Sequence, residues 1–139
     1  MKYWLLKTEP DDWSWKMQIK AGSKGAEWNG VRNFQAAKNM KSMKIGDLGF
    51  FYHSVNEKRI VGIVEVIKEY YPDHTDSKGI FGMVDIKAVK TINKTITLKE
   101  IKQNSSLEEM KLVRQSRLSV SPVRMKEWEI ILKMCETTL

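Results

Sequence analysis

A small mixed α+β fold, a curved sheet or partly open barrel with short helices around it, is what this sequence predicts, and three observations predict it. Strand-like and helix-like segments follow one another irregularly along 139 residues, a length that suits one core and is too short for repeated strand-helix-strand units. The run Arg-Ile-Val-Gly-Ile-Val-Glu-Val-Ile at 59–67 is nearly continuous in β-branched residues, as expected of a central strand covered on both faces. No linker, repeat or low-complexity block interrupts the chain, and its three prolines stand apart at Pro10, Pro72 and Pro122. Residues 1–139 are therefore expected to form a single domain.

The elements follow in order. Residues 3–7 read as a short strand stopped at Thr8-Glu9-Pro10, and 11–15 suit a helical turn with Asp11 and Asp12 at its positive end. Val31, Phe34, Ala37 and Met40 recur at three-residue steps among Arg32, Asn33, Lys38 and Lys41, which predicts an amphipathic helix over about 31–43. Gly46-Asp47 turns into a strand at 48–53, residues 54–58 connect it to the central strand, and 70–82 form a loop. Val84, Ile86 and Ala88 alternate with Asp85 and Lys87 in a half-buried strand. Thr97 with Glu100 fits a capping box, and Ser105 with Glu108, or Ser106 with Glu109, would open another turn. Residues 117–120 read as a short strand. Ser121-Pro122 then reads as cap and first residue of a final helix, with Met125, Trp128, Ile131, Leu132 and Cys135 as its apolar stripe.

Twenty-four Lys and Arg against 17 Asp and Glu give a net charge of +7, a balance that favours a polyanionic partner, nucleic acid foremost, although many small basic proteins bind none. The single cysteine, Cys135, excludes an internal disulfide and suits a reducing interior such as the cytosol. No apolar run matches a signal peptide or a membrane span, so neither secretion nor a membrane partner is expected.

Phosphate loops, dinucleotide glycine patterns, His-Glu-x-x-His and the nucleophile elbow Gly-x-Ser-x-Gly are all missing, which disfavours the common cofactor enzymes. With only His53 and His74 beside one cysteine, no metal site and no cofactor are expected. Polar groups concentrate beside aromatics in two places. In 28–34, Gly30 would let a ligand approach, Arg32 would hold a phosphate, and Asn29 or Asn33 would pair with a base edge. Equally, Asn29 would be a helix cap, Trp28 a hydrophobic staple and Arg32 a solvated charge. In 50–54, strand alternation puts Phe51 and His53 on one face and Tyr52 and Ser54 on the other, one of the faces being core. His53 would stack on a base, or be satisfied by a backbone group. Of the five tryptophans, Trp4 and Trp128 belong to the core pattern. Trp13, Trp15 and Trp28 lie beside loops and charges, where an indole either walls a base pocket or simply packs.

Five ordered segments carry a family resemblance over almost the whole chain: Tyr3-Trp4-Leu5-Leu6-Lys7-Thr8-Glu9-Pro10; Trp28-Asn29-Gly30-Val31-Arg32-Asn33-Phe34-Gln35-Ala36; Gly46-Asp47 with Phe50-Phe51-Tyr52-His53-Ser54; Val61-Gly62-Ile63; and Arg117-Leu118-Ser119-Val120 with Pro122. Together they resemble the EVE domain. The resemblance implies a PUA-like fold related to the YTH and ASCH domains, and a pocket for one flipped-out base. Methylated or hydroxymethylated cytosine in DNA is the ligand it implies, or modified RNA in related folds. It places the pocket on Trp28, Asn29, Val31, Arg32 and Asn33, on Tyr52, His53 and Ser54, and on Arg117, Leu118 and Ser119, with Lys7 and Glu9 as lesser candidates. The reading that results is a non-catalytic reader of DNA or RNA containing a modified base; a monomer is expected, in the cytoplasm that the single cysteine suits or in association with nucleoid or nucleus. The alternatives are an ASCH-like RNA-processing hydrolase, with His53 as acid or base assisted by Lys7 or Glu9, a PUA-type RNA binder, and a protein-interaction module. Two departures stand out: Phe34 where many relatives carry Tyr, and an elaborated Lys-rich stretch at 87–102.

Overall fold

A computed structural model describes residues 1–139. Six strands, β1 (Tyr3–Thr8), β2 (Ala26–Glu27), β3 (Leu48–His53), β4 (Arg59–Pro72), β5 (Gly82–Thr97) and β6 (Val120–Val123), make one sheet in the order β2-β5-β4-β3-β1-β6. β1 and β3 run parallel, and every other pair is antiparallel. A parallel pair needs a crossover, and the segment from β1 to β3 supplies one containing α1 (Trp15–Lys20), β2 and α2 (Phe34–Lys41). After β5 come α3 (Leu98–Lys102), a 3-10 turn at Ser105–Leu107 and α4 (Lys111–Arg114), and α5 (Met125–Met134) closes the chain. This is the expected α+β architecture of a PUA-like domain.

Both faces of the sheet are buried, so the expectation of one core face at 50–54 is corrected. Trp4, Leu6, Phe51, Val61 and Val64 lie in one apolar cluster with Trp15, Trp28, Ala36 and Met40. Leu5, Phe50, Tyr52, Ile60 and Ile63 lie in the other, with Ile92, Ile96, Ile101, Trp128 and Ile131. Strand alternation assigns each neighbour to opposite sides, and bulges reset it. Ile63 pairs with Lys90 but Val64 with Ala88, so Val89 is an extra residue. Val84 and Ile86 before it face the first cluster, whereas Ile92 and Ile96 after it face the second.

Several boundaries differ from expectation for local reasons. α1 begins at Trp15 because Ser14, whose hydroxyl accepts from the Met17 N–H at 3.2 Å, is the better cap, and the acidic residues stay in the preceding turn. α2 begins at Phe34, capped by Asn33, so Asn29 is not the cap and Phe34, 72% exposed, is not core. The 3-10 turn is capped by Asn104 rather than Ser105 or Ser106. Residues 117–119 precede the strand, and Ser121-Pro122 lie inside β6, paired with Leu5 and Trp4. An edge strand tolerates that proline. α5 starts three residues beyond Pro122, where the Glu127 carboxylate accepts from the Arg124 backbone N–H at 2.9 Å. Its stripe holds except for Met125, which is exposed. The Thr97 and Glu100 capping box forms as expected.

Candidate nucleic-acid interface

The loop joining β2 to α2 is held by one buried carboxylate. Trp28 continues the β2 pairing by donating its backbone N–H to the Val84 carbonyl at 2.8 Å, which swings the following residues away from the sheet. Gly30, at φ 82°, occupies the left-handed region open to glycine. Its N–H donates to Asp73 Oδ2 at 2.8 Å, and Arg32 Nη1 donates to the same oxygen at 3.0 Å. Asp73 Oδ1 accepts from the Thr75 N–H at 2.8 Å and the Thr75 hydroxyl at 2.6 Å. Burial pushes this carboxyl up. The bonds from the Thr75 hydroxyl, the Gly30 and Thr75 N–H groups and Arg32 outweigh it, holding Asp73 well below the usual carboxylate range. Arg32 also reaches the Thr75 hydroxyl at 3.0 Å, so its guanidinium braces the wall.

Facing this loop is the end of β1. The Lys7 N–H donates to the Ser119 carbonyl and the Ser54 N–H to the Thr8 carbonyl, at 2.8 and 2.9 Å, which ties together three chain segments remote in sequence. The Lys7 ammonium donates to the Ser116 carbonyl at 2.8 Å, and burial lowers its pKa. Between these walls lies a cavity of about 990 Å³. Trp28, Val31 and Trp13 give it apolar surface, and Asn29, Ser54, Ser119 and backbone groups give it polar surface. Three cations, Lys7, Arg32 and Arg117, are offset by three carboxylates, Glu9, Asp12 and Glu27. The lining is therefore suited to reading a polar edge more than to collecting phosphate. Glu27 is occupied by His74 at 2.5 Å, while Glu9 and Asp12 stand exposed on the rim.

Trp28 is the deepest aromatic group of the cavity, only 7% exposed and edge-on to Phe51 with centroids 5.7 Å apart. The indole N–H groups of Trp4, Trp13 and Trp15 donate to Asp47, Gln18 and Thr91. That of Trp28 meets no acceptor in the protein, and it is not sealed from solvent, since Ser121 Oγ is the one enclosed polar side-chain atom without a partner. A nearly buried side chain that lines the cavity thus keeps an open donor.

Nine of the residues expected at the pocket line this cavity: Lys7, Glu9, Trp28, Asn29, Val31, Arg32, Ser54, Arg117 and Ser119. Four do not. Asn33 caps α2, its side-chain oxygen accepting from the Ala36 N–H at 2.9 Å, and borders a neighbouring groove. Tyr52 points to the opposite core, as strand alternation requires. Leu118 is buried in the first core. His53 lies behind the wall. Its Nε2 accepts from the Trp15 N–H at 3.0 Å, so the proton sits on Nδ1, 2.9 Å from Glu57 Oε1. Both ring nitrogens are used structurally, and His53 does not meet Lys7 and Glu9 at one point, as acid-base catalysis would need. Asp12, Val55 and Ser116 also line the cavity without having been singled out. Val55 carries a φ of 69°, uncommon for a β-branched residue and invisible to any residue pattern.

No group of three or more His, Cys, Asp or Glu side chains comes together as a metal site, and no helix is long and apolar enough to cross a membrane. The EVE domain family model matches residues 2–134, and the chain belongs to that family. Mouse thymocyte nuclear protein 1 is 34% identical to it over 97% of this chain and 74% of the mouse protein. Among solved structures, protein Atu2648 from Agrobacterium tumefaciens superposes with a TM-score of 0.95 at 47% identity, covering 99% of this chain and 94% of that one. Human THYN1 protein in complex with 5-methylcytosine containing DNA superposes with a TM-score of 0.92 at 29% identity, covering all of both chains.

Proposed function

We propose that this protein is a reader of nucleic acid that captures one extruded, modified base, such as methylated or hydroxymethylated cytosine, in the cavity behind Trp28. The observation that carries the reading is the nearly buried Trp28 indole with its unpartnered N–H, in a cavity whose rim also holds the exposed carboxylates of Glu9 and Asp12, able to accept from an exocyclic amino group. The likeness to a human protein solved with 5-methylcytosine containing DNA supports it, as does the net charge of +7. Extrusion of a base costs a few kcal/mol. One base–aromatic stack contributes about 1–3 kcal/mol and a hydrogen bond to a charged group about 1.5–3 kcal/mol, so one of each offsets it. Burying a methyl group adds on the order of 0.8 kcal/mol, a preference of about fourfold over the plain base. In this reading the role is non-catalytic, because His53 has both ring nitrogens engaged and does not line the cavity.

Fluorescence titration of oligonucleotides differing in one 5-methyl group, as DNA and as RNA, tests the proposal. Methylated DNA is expected to bind severalfold tighter than plain DNA, more weakly at higher salt. Trp28→Phe, which keeps an aromatic ring in the core, and Glu9→Gln on the exposed rim are expected to reduce that preference. Equal weak binding of all oligonucleotides, unchanged in both variants, contradicts it.

A further inference from the structure

The rim of the cavity continues into an aromatic ridge that internal packing does not explain. Phe34, the first residue of α2, is 72% exposed while Ala36, Ala37 and Met40 take the buried side of that helix. Its ring lies 5.0 Å from that of Phe81, the planes 40° apart. The Arg32 guanidinium carbon is 5.8 Å from the Phe81 centroid, and Ile80 beside it is 55% exposed. Full burial of a phenylalanine contributes about 1.5–3 kcal/mol, most of which Phe34 forgoes. One exposed apolar side chain is ordinary, but a contiguous group mounted on the residue that braces the cavity wall marks a contact surface.

We infer that Phe34 is a stacking platform for the nucleobase next to the captured one, an inference that rests on the function proposed above. With Phe81 tilted against it, Phe34 is still 72% exposed, which leaves ring surface for a planar partner. Arg32 lies against Phe81 and is held by Asp73 and Thr75, so the platform is ordered before binding. The ridge joins the cavity through Arg32, which lines the cavity and lies over the Phe81 ring. Arg32 belongs to the cavity wall, and the groove beside α2, lined by Asn33, Gln35 and Arg114, shares Ser116 and Arg117 with it. Arg117, which lines both the cavity and that groove, would take the phosphate between the two nucleotides. Because every base presents a π face, the contact adds affinity without adding sequence preference.

The test compares wild type, Phe34→Ala, Phe34→Leu and Phe34→Trp on three ligands: an oligonucleotide with one 5-methylcytosine, the same strand with abasic sites flanking it, and 5-methylcytidine monophosphate. Phe34→Ala and Phe34→Leu are expected to weaken the intact oligonucleotide about 5- to 150-fold, the equivalent of about 1–3 kcal/mol, and Phe34→Trp to restore it. On the abasic strand and the mononucleotide all four proteins should agree, with the preference for the methyl group unchanged. Full-strength binding by Phe34→Ala, or an equal loss on the abasic strand, overturns the platform while leaving the cavity reading intact. A wild-type dimer in sedimentation that Phe34→Ala dissolves overturns it too, because the ridge would then serve a second copy of the chain. Wild type indifferent to methylation and to Trp28→Phe removes the cavity reading and the platform with it.

Discussion

Replacing Asp73 with asparagine tests whether one carboxylate holds the cavity rim. Asp73 accepts four hydrogen bonds, at 2.6 and 2.8 Å from Thr75, 2.8 Å from Gly30 and 3.0 Å from Arg32. An asparagine has one oxygen. With that oxygen kept toward Gly30 and Arg32, its amide group faces the Thr75 N–H, donor against donor, while the Thr75 hydroxyl rotates to accept. The part-buried Thr75 N–H then loses its acceptor, at about 1 kcal/mol, and the remaining bonds weaken from charged to neutral. The expected loss at pH 7 is about 3 kcal/mol, a fall of roughly 1–2 M in the urea midpoint. The pH dependence supplies a second check. A carboxyl held low in the folded state contributes its full stability above the unfolded pKa, near 3.9, and loses it as pH falls from there toward the folded value. Glu57 and Asp76 are held low as well, in wild type and variant alike, so the informative quantity is the difference between the two proteins. It should be constant above about pH 5 and narrow below about pH 4. A difference under about 0.5 kcal/mol at pH 7, or one that does not narrow in acid, refutes the reasoning.

Gly62→Ala would drive a methyl group into the Trp15 ring, which is fixed by its bond to Thr91 at 2.9 Å. A loss of about 1–3 kcal/mol by urea denaturation is expected, and a neutral substitution would show that Trp15 is loosely held. Ser121→Ala removes a buried hydroxyl that has no partner. It should be neutral or stabilise by up to about 1 kcal/mol, and a clear loss would imply an unrecognised bond. His53→Ala leaves the Trp15 N–H without its acceptor, so a cost of about 1–3 kcal/mol is expected with oligonucleotide affinity unchanged below the melting temperature. RNA cleavage by wild type that this variant loses would instead make His53 catalytic.

The central strand, the capping box at Thr97 and the alternation that separates Phe51 from Tyr52 were legible because each depends on neighbours in sequence. What was lost depends on competition between neighbours or on distant partners. Asn33 took the cap of α2 from Asn29, and Ser14 set the start of α1 beyond the acidic pair expected inside it. Phe34 matched the helical period, but the helix begins at that residue and leaves its side chain outside. A bulge at Val89 redirected half of β5, and one extra residue in a strand leaves no mark in composition. The same division holds for the site. Trp28, Asn29, Arg32 and Ser54 sit in motifs whose rare residues draw attention. Asp73, remote from all of them, was invisible as the group that holds Gly30 and Arg32, because a carboxylate in a polar loop reads as solvated until its donors are placed around it. His53 shows the converse: a histidine beside aromatics suggested chemistry, and its two nitrogens serve the backbone of α1 and Glu57.

The indole N–H resonance of Trp28 in a nitrogen-15 correlation spectrum reports on the cavity directly, because that proton has no partner inside the protein. During titration with DNA containing one 5-methylcytosine it should move more than the other four tryptophan indoles and saturate at one site per chain. An unmoved Trp28 signal, with the largest shifts at surface lysines, would mean that nucleic acid meets only the basic exterior and that no base enters.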